Sequence, residues 1–90
     1  MGVAAVKIKI MPASPEVNLT ELEGRIRDFL EKEGVKNPQF DIQPIAFGLK
    51  ALIAMFGWPE EKSLDEMEES LGKIQDVNSV DLLDIRRAIG

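Results

Sequence analysis

Acid–base and nucleophilic chemistry near neutral pH usually rests on histidine or cysteine, and these 90 residues contain neither. The common general base, the common zinc ligand, the thiolate nucleophile and the disulfide are all excluded. What is left is carboxylates in pairs, Glu60–Glu61 and Glu68–Glu69, and one arginine pair, Arg86–Arg87. Two carboxylates work as an acid–base dyad only when their surroundings push their pKa values apart. Both acidic pairs here stand among charged and polar neighbours, so they read as solvated surface charge. An enzyme is therefore not the expected reading. No metal site and no cofactor are expected either.

A different kind of chemistry, recognition, is offered by Pro44–Ile45–Ala46–Phe47–Gly48–Leu49–Lys50. Proline fixes φ and removes a donor, so regular pairing lapses near Pro44. Gly48 lets the backbone turn or bulge. Phe47 then stands on a bend, and two placements are open from the residues alone. Its ring either points outward as an anchor for a protein partner or folds back into the core beneath the hairpin. Lys50 faces water near the bend, either as a plain solvated lysine or opposite an acidic partner surface.

The totals narrow the class of partner. Net charge is −5, with acids and bases interspersed. Such a chain is a poor default binder of nucleic acid or of anionic membrane surfaces. A protein partner suits it better. No apolar run is long enough to cross a membrane, and Met1–Met11 has neither a signal-peptide pattern nor a full myristoylation signature. The expected location is the cytoplasm. The length predicts one domain over 1–90.

Elements that position these residues follow from periodicity. Val3–Met11 alternates, with Val6, Ile8 and Ile10 on one face and Lys7 and Lys9 on the other, and predicts a strand. Pro12–Glu16 is a loop. Asn18 is an N-cap, Glu21 the return half of a capping box, and Val17 with Leu22 a hydrophobic staple. Leu19, Leu22, Ile26, Phe29 and Leu30 form one stripe of a helix over Leu19–Glu33, stopped by Gly34. Gln39–Gln43 is a short strand. Leu49–Phe56 is a strand apolar on both parities, and periodicity does not say which face meets the helices. Gly57–Trp58–Pro59 is expected to end it. Ser63 caps a second helix with the stripe Leu64, Met67, Leu71 and Ile74, and Gly72 inside it. Val80–Ile85 is the last strand, with Val80 and Leu82 inward.

Two helices with one stripe each must cover one face of one sheet. With right-handed crossovers, strand-helix-strand-strand-helix-strand predicts an α+β, ferredoxin-like βαββαβ two-layer sandwich. Its four-stranded antiparallel sheet keeps one open face. Many functions use this plait, so the fold names none.

Three stretches and the element order carry a closer likeness. The hairpin PIAFGLKAL, the start IKIMPASPEVNL with Met11, Pro12, Ser14, Pro15, Val17 and Leu19, the end VNSVDLLDIRRAI with Asp84, Ile85, Arg86 and Arg87, and the element order agree in register. The chain resembles the archaeal elongation factor 1-beta family, the guanine-nucleotide exchange factors of translation elongation factor 1-alpha. That resemblance implies a protein that binds the GDP form of the GTPase, loosens magnesium and phosphate contacts and lets GTP replace GDP. In eukaryotic relatives a loop phenylalanine followed by glycine enters a pocket of the partner, and Phe47–Gly48 matches that position. The resemblance thus favours an exposed ring, with Ala46, Phe47, Gly48 and Lys50 at the partner. Those relatives also carry a lysine near the C-terminus that perturbs the magnesium site. Here Ala88–Ile89–Gly90 holds none, and Arg86 and Arg87 are the nearest cations. They either substitute for that lysine or form a solvated strand end paired with Asp84. The protein is expected to be a monomer when free.

Three rivals belong to other classes. An RNA-binding plait lacks its aromatic signature here, since Ile10, Ala54 and Met55 give bases nothing to stack on. An acylphosphatase-like hydrolase lacks an arginine-glycine phosphate cradle after the first strand. The main alternative is a small-molecule sensor or regulatory domain that dimerises through the open sheet face, kept in play by the two-sided apolar run Leu49–Phe56.

Overall fold

The computed structural model describes residues 2–87. Its elements are β1 (Val3–Pro12), α1 (Leu19–Lys32), β2 (Gln39–Pro44), a short 3-10 turn (Ala46–Gly48), β3 (Lys50–Pro59), α2 (Leu64–Gly72) and β4 (Val77–Arg87). The strands form one sheet in the order β2-β3-β1-β4, with every neighbouring pair antiparallel. This is the ferredoxin-like α+β arrangement that the patterning predicts.

Burial follows the alternation. On β1, Val6, Ile8 and Ile10 are buried, while Lys7 and Lys9 point to the other face. On β3 the two-sided run resolves: Leu52, Ala54, Phe56 and Trp58 join Leu22, Ile26 and Leu30 of α1 and Met67 and Leu71 of α2 in one core. Both helices therefore lie on the same side of the sheet. The open face carries Lys7 opposite Asp84 and Lys9 opposite Asp81 across the β1–β4 ladder. Opposite charges facing each other across strands stabilise a surface that meets water.

Helix α1 begins where Asn18 Oδ1 accepts from the backbone N–H groups of Thr20 and Glu21, at 2.9 and 3.1 Å. The return half of the box does not form. The Glu21 carboxylate instead lies 3.9 Å from the Arg25 guanidinium, one turn on. At the other end Gly34 takes φ 94°, its N–H bonds Glu31 O, and the Val35 N–H bonds Leu30 O at 2.9 Å. That pair of bonds is a Schellman stop, which needs the left-handed glycine. Helix α2 starts at Ser63, whose Oγ accepts from the Glu66 N–H at 3.2 Å. Gly72, expected inside α2, is its last residue, where its low helix propensity costs little.

Glu68 on α2 is half-buried, and its carboxyl is pushed above the ordinary range by burial first and by Asp65 and Asp81 second. The folded chain therefore holds that proton more tightly than the unfolded chain. Stability falls as pH rises from the unfolded pKa through the higher folded one, and the loss persists at neutral pH. Glu68→Gln is expected to raise Tm at pH 7 by a small amount, and the gain should vanish below about pH 4, where both forms are neutral. Thermal melts at the two pH values check this.

Strands β3 and β4 outrun their expected ends by two residues or more. β3 continues through Gly57, Trp58 and Pro59, which pair with Ala5, Ala4 and Val3. Pro59 is tolerated because β2 stops pairing at Met55, so β3 has a free edge there. Gly57 fits because the Val3 side chain fills the space that a Cβ would take, 2.8 Å from its position. Trp58 is buried, and its indole N–H donates to Lys62 O at 3.3 Å. β4 runs two residues past Ile85 and includes both arginines. Leu82 pairs with Ile8 on the core side as expected, but it sits on an edge strand and remains 40% exposed. Between Leu82 and Asp84 the register shifts, and Leu83 is the extra residue of a β-bulge.

Candidate partner-docking residues at the two ends of the sheet

The β2–β3 hairpin closes with Pro44 opposite Lys50. Within the loop the Ile45 N–H bonds Leu49 O at 2.7 Å, and the Leu49 N–H reaches Ala46 O at 3.4 Å. Closing so short a loop takes two left-handed residues in a row, Phe47 at φ 64° and Gly48 at φ 77°. Glycine adopts that conformation freely, whereas an ordinary L-residue is penalised by about 1–2 kcal/mol. Phe47 carries that strain with no packing to offset it, because its ring is 96% exposed. Of the two placements left open by the residues, the ring is in water. Ala46 and Gly48 beside it are exposed as well.

Lys50 is exposed on the helix side of β3, beyond the end of the core. It borders a cleft of about 350 Å³ whose other walls include Pro12, Ser14, Pro15, Val17 and Ile42. The Met11–Leu19 motif therefore lies at the same end as Phe47. Ile42 is exposed there. Nothing in its alternating strand marked it out, because its core-side parity is correct and only the core stops short of it.

Arg86 and Arg87 stand elsewhere. Arg87 pairs with Ala4 at the start of β1, whereas the cleft lies at Pro12 at its finish. At strand spacing these points are about 27 Å apart. The structure thus brings Ala46, Phe47, Gly48 and Lys50 together and leaves the arginines at the opposite end. The arginines are also on opposite faces. Arg86 is opposite Ala5 on the open face, and Arg87 is opposite buried Ala4 on the helix face.

Each arginine has an acidic partner. Arg86 Nε donates to Asp84 Oδ2 at 3.1 Å on its own strand. Arg87 Nη1 donates to Glu60 Oε2 at 2.7 Å. Glu60, read from the sequence as solvated charge, is exposed as expected, and it is the more sheltered member of an ion pair with Arg87. No local pattern could have revealed this, because the contact joins the β3–α2 turn to the far end of β4. Among the described residues no cluster of carboxylates could hold a metal ion.

An exposed aromatic on a closed hairpin, with cations at the other end of a plait, fits a protein-binding surface. Comparison with known proteins identifies the family. The profile of the EF-1 guanine nucleotide exchange domain matches residues 5–88. The chain belongs to that family. It is 36% identical to elongation factor 1-beta of Methanococcus aeolicus over 94% of this chain and 97% of the relative. It is 40% identical to that of Archaeoglobus fulgidus, with 94% and 97% covered. It is 41% identical to that of Haloarcula marismortui, with 91% and 93% covered. The function of the EF-1 exchange domain is guanine-nucleotide exchange in translation elongation, and the resemblance seen in the three sequence stretches is borne out at the level of the family. None of these three relatives is named as a small-molecule sensor.

Proposed function

We propose that this chain binds translation elongation factor 1-alpha in its GDP-bound and nucleotide-free forms, promotes GDP release and so lets GTP reload. The observation that carries the reading is Phe47, a strained and almost fully exposed ring on a closed loop. Backbone strain in a natural protein persists where the surroundings enforce it, and it clusters at functional sites. A rigid aromatic anchor also loses little entropy when it docks.

No covalent step is needed. An exchange factor works by binding the nucleotide-free GTPase more tightly than the loaded one, and by linkage nucleotide weakens its grip by the same factor. Each ~1.4 kcal/mol of that antagonism is tenfold in affinity. Phe47 holds the partner in the displaced conformation through contacts made better in one state than the other. Ala46 and Gly48 let the partner approach the loop closely, and Lys50 meets an acidic patch beside it. A cation at the other end, Arg86 or Arg87, acts on phosphate or an acidic magnesium ligand.

The same reading has the chain acting as one domain over 1–90, a monomer when free, in the cytoplasm, without direct contact to nucleic acid or membrane. No helix among the described residues is long and apolar enough to cross a membrane. The facing lysine and aspartate pairs on the open sheet support a solvated face rather than a dimer seam.

The test loads elongation factor 1-alpha with fluorescent GDP, chases it with excess GTP and adds this protein. Release is expected to accelerate with concentration and then saturate. A release rate that does not change with added protein overturns the proposal.

A further inference from the structure

We infer that Glu60 is a positioning residue that aims Arg87, rather than Arg86, at an anionic group of the GTPase. This rests on the exchange reading above. The two ion pairs are asymmetric. The Glu60 side chain is 28% exposed and the Arg87 side chain 78%, so the carboxylate is the sheltered anchor and the guanidinium lies outside it. Glu60 is itself fixed, since its backbone N–H bonds Gly2 O at 3.0 Å and it follows Pro59 at the end of β3. Arg87 also borders a small cavity with Trp58, Leu64 and Ile85, which restricts the side on which its stem can lie.

A guanidinium has five N–H donors in a planar fork. Arg87 gives one of them, Nη1–H, to Glu60 at 2.7 Å. That is the one side-chain hydrogen bond Arg87 makes among the described residues, and its side chain is otherwise open to water at this end of the sheet. A planar fork held along one edge is pre-organised to bind phosphate or carboxylate oxygens along another. Arg86 has no such support. Its side chain is 82% exposed, and its partner Asp84 is on the same strand and itself half exposed. That pair is free to reorient in water and is worth little.

The pair is therefore expected to matter for exchange and hardly at all for folding. The experiment measures GDP release from the GTPase at increasing exchange factor, giving a maximal rate and a half-saturating concentration. Wild type, Glu60→Gln, Glu60→Asp, Arg87→Lys, Arg86→Ala, Phe47→Ala and the double variant Glu60→Gln/Arg87→Lys are compared, each with its Tm. Glu60→Gln and Arg87→Lys are each expected to lower the maximal rate about three- to tenfold with Tm unchanged, the effect of losing orientation rather than charge at a bidentate site. Glu60→Asp should recover part of the rate. The double variant should be no slower than Arg87→Lys, because Glu60 acts only through Arg87. Arg86→Ala should have a smaller effect than Arg87→Lys.

Full additivity of the two changes overturns the assignment, as does a maximal rate unchanged by Glu60→Gln while Phe47→Ala still slows exchange. Faster exchange by Glu60→Gln also overturns it, since the carboxylate would then restrain the arginine. A wild-type protein that does not accelerate GDP release at all overturns both this inference and the exchange reading.

Discussion

Phe47→Gly is expected to lower stimulated GDP release by about tenfold or more while leaving the fold at least as stable as before. The two halves of that result have separate causes. The ring is 96% exposed, so removing it takes no contact from the core. An aromatic anchor that fills a partner pocket is commonly worth about 2 kcal/mol or more at an interface, which exceeds tenfold in affinity. Stability moves the other way because φ at position 47 is 64°. Glycine relieves the left-handed penalty of about 1–2 kcal/mol and returns part of it as greater freedom of the unfolded chain. The net expectation is a change between about 0 and 1 kcal/mol in favour of folding. Phe47→Ala separates the terms, since it removes the ring and keeps the strain. It should exchange as slowly as the glycine variant and melt below it. Urea denaturation and the fluorescent-GDP chase check both. A glycine variant that exchanges at the wild-type rate would show that the ring is not the anchor, and one that melts well below wild type would show that the loop conformation is supported by contacts of the ring.

Ile8→Ala should have the largest effect on folding. Ile8 has no accessible surface and lies at the centre of β1, which pairs on one side with β3 and on the other with β4. Its side chain belongs to the cluster shared by both helices. Removing its outer carbons there costs the transfer energy and leaves a cavity, together about 2–5 kcal/mol. A domain of this size has roughly 5–13 kcal/mol in all, so the midpoint should fall by some 10–30 °C. Leu83→Ala is the natural contrast. Leu83 is the exposed bulge residue, and its truncation should change stability by less than about 0.5 kcal/mol. A small loss at Ile8 would mean that the two layers can close over the vacancy, contrary to the packing of strands fixed on both sides by hydrogen bonds.

These two positions also mark how far the amino-acid pattern reaches. The alternation of β1 placed Ile8 inside without ambiguity, and the stripes of α1 and α2 placed both helices on one face. Local rules suffice there because burial and periodicity act on the same residues. Phe47 was legible only as a choice between two placements, because a bend tells where the chain turns and not which side chain bears the strain. The family likeness tipped that choice toward solvent. Trp58, expected in a terminating segment, proved to be core because pairing with Ala4 outweighed the breaking tendency of its glycine and proline neighbours. The partner of Glu60 was not legible, for a deeper reason. It lies at the far end of another strand, and only the register of that strand decides which side chain arrives there.

That register depends on one residue. With Leu83 as the extra member of β4, Asp84 falls opposite Lys7, Ile85 opposite Val6, Arg86 opposite Ala5 and Arg87 opposite Ala4. Were Leu83 instead to take a regular place opposite Lys7, every later side chain would change sides. Ile85, 36% exposed on the helix face, would pass to the open face, Asp84 would take its place opposite Val6, and the guanidinium delivered opposite Ala4 would be that of Arg86. The C-terminal arm thus obeys a counting rule. What must be kept there, in any relative with the same two cations, is the bulge wherever a residue stands at 83; a strand without that residue reaches the same partners only by pairing without a bulge.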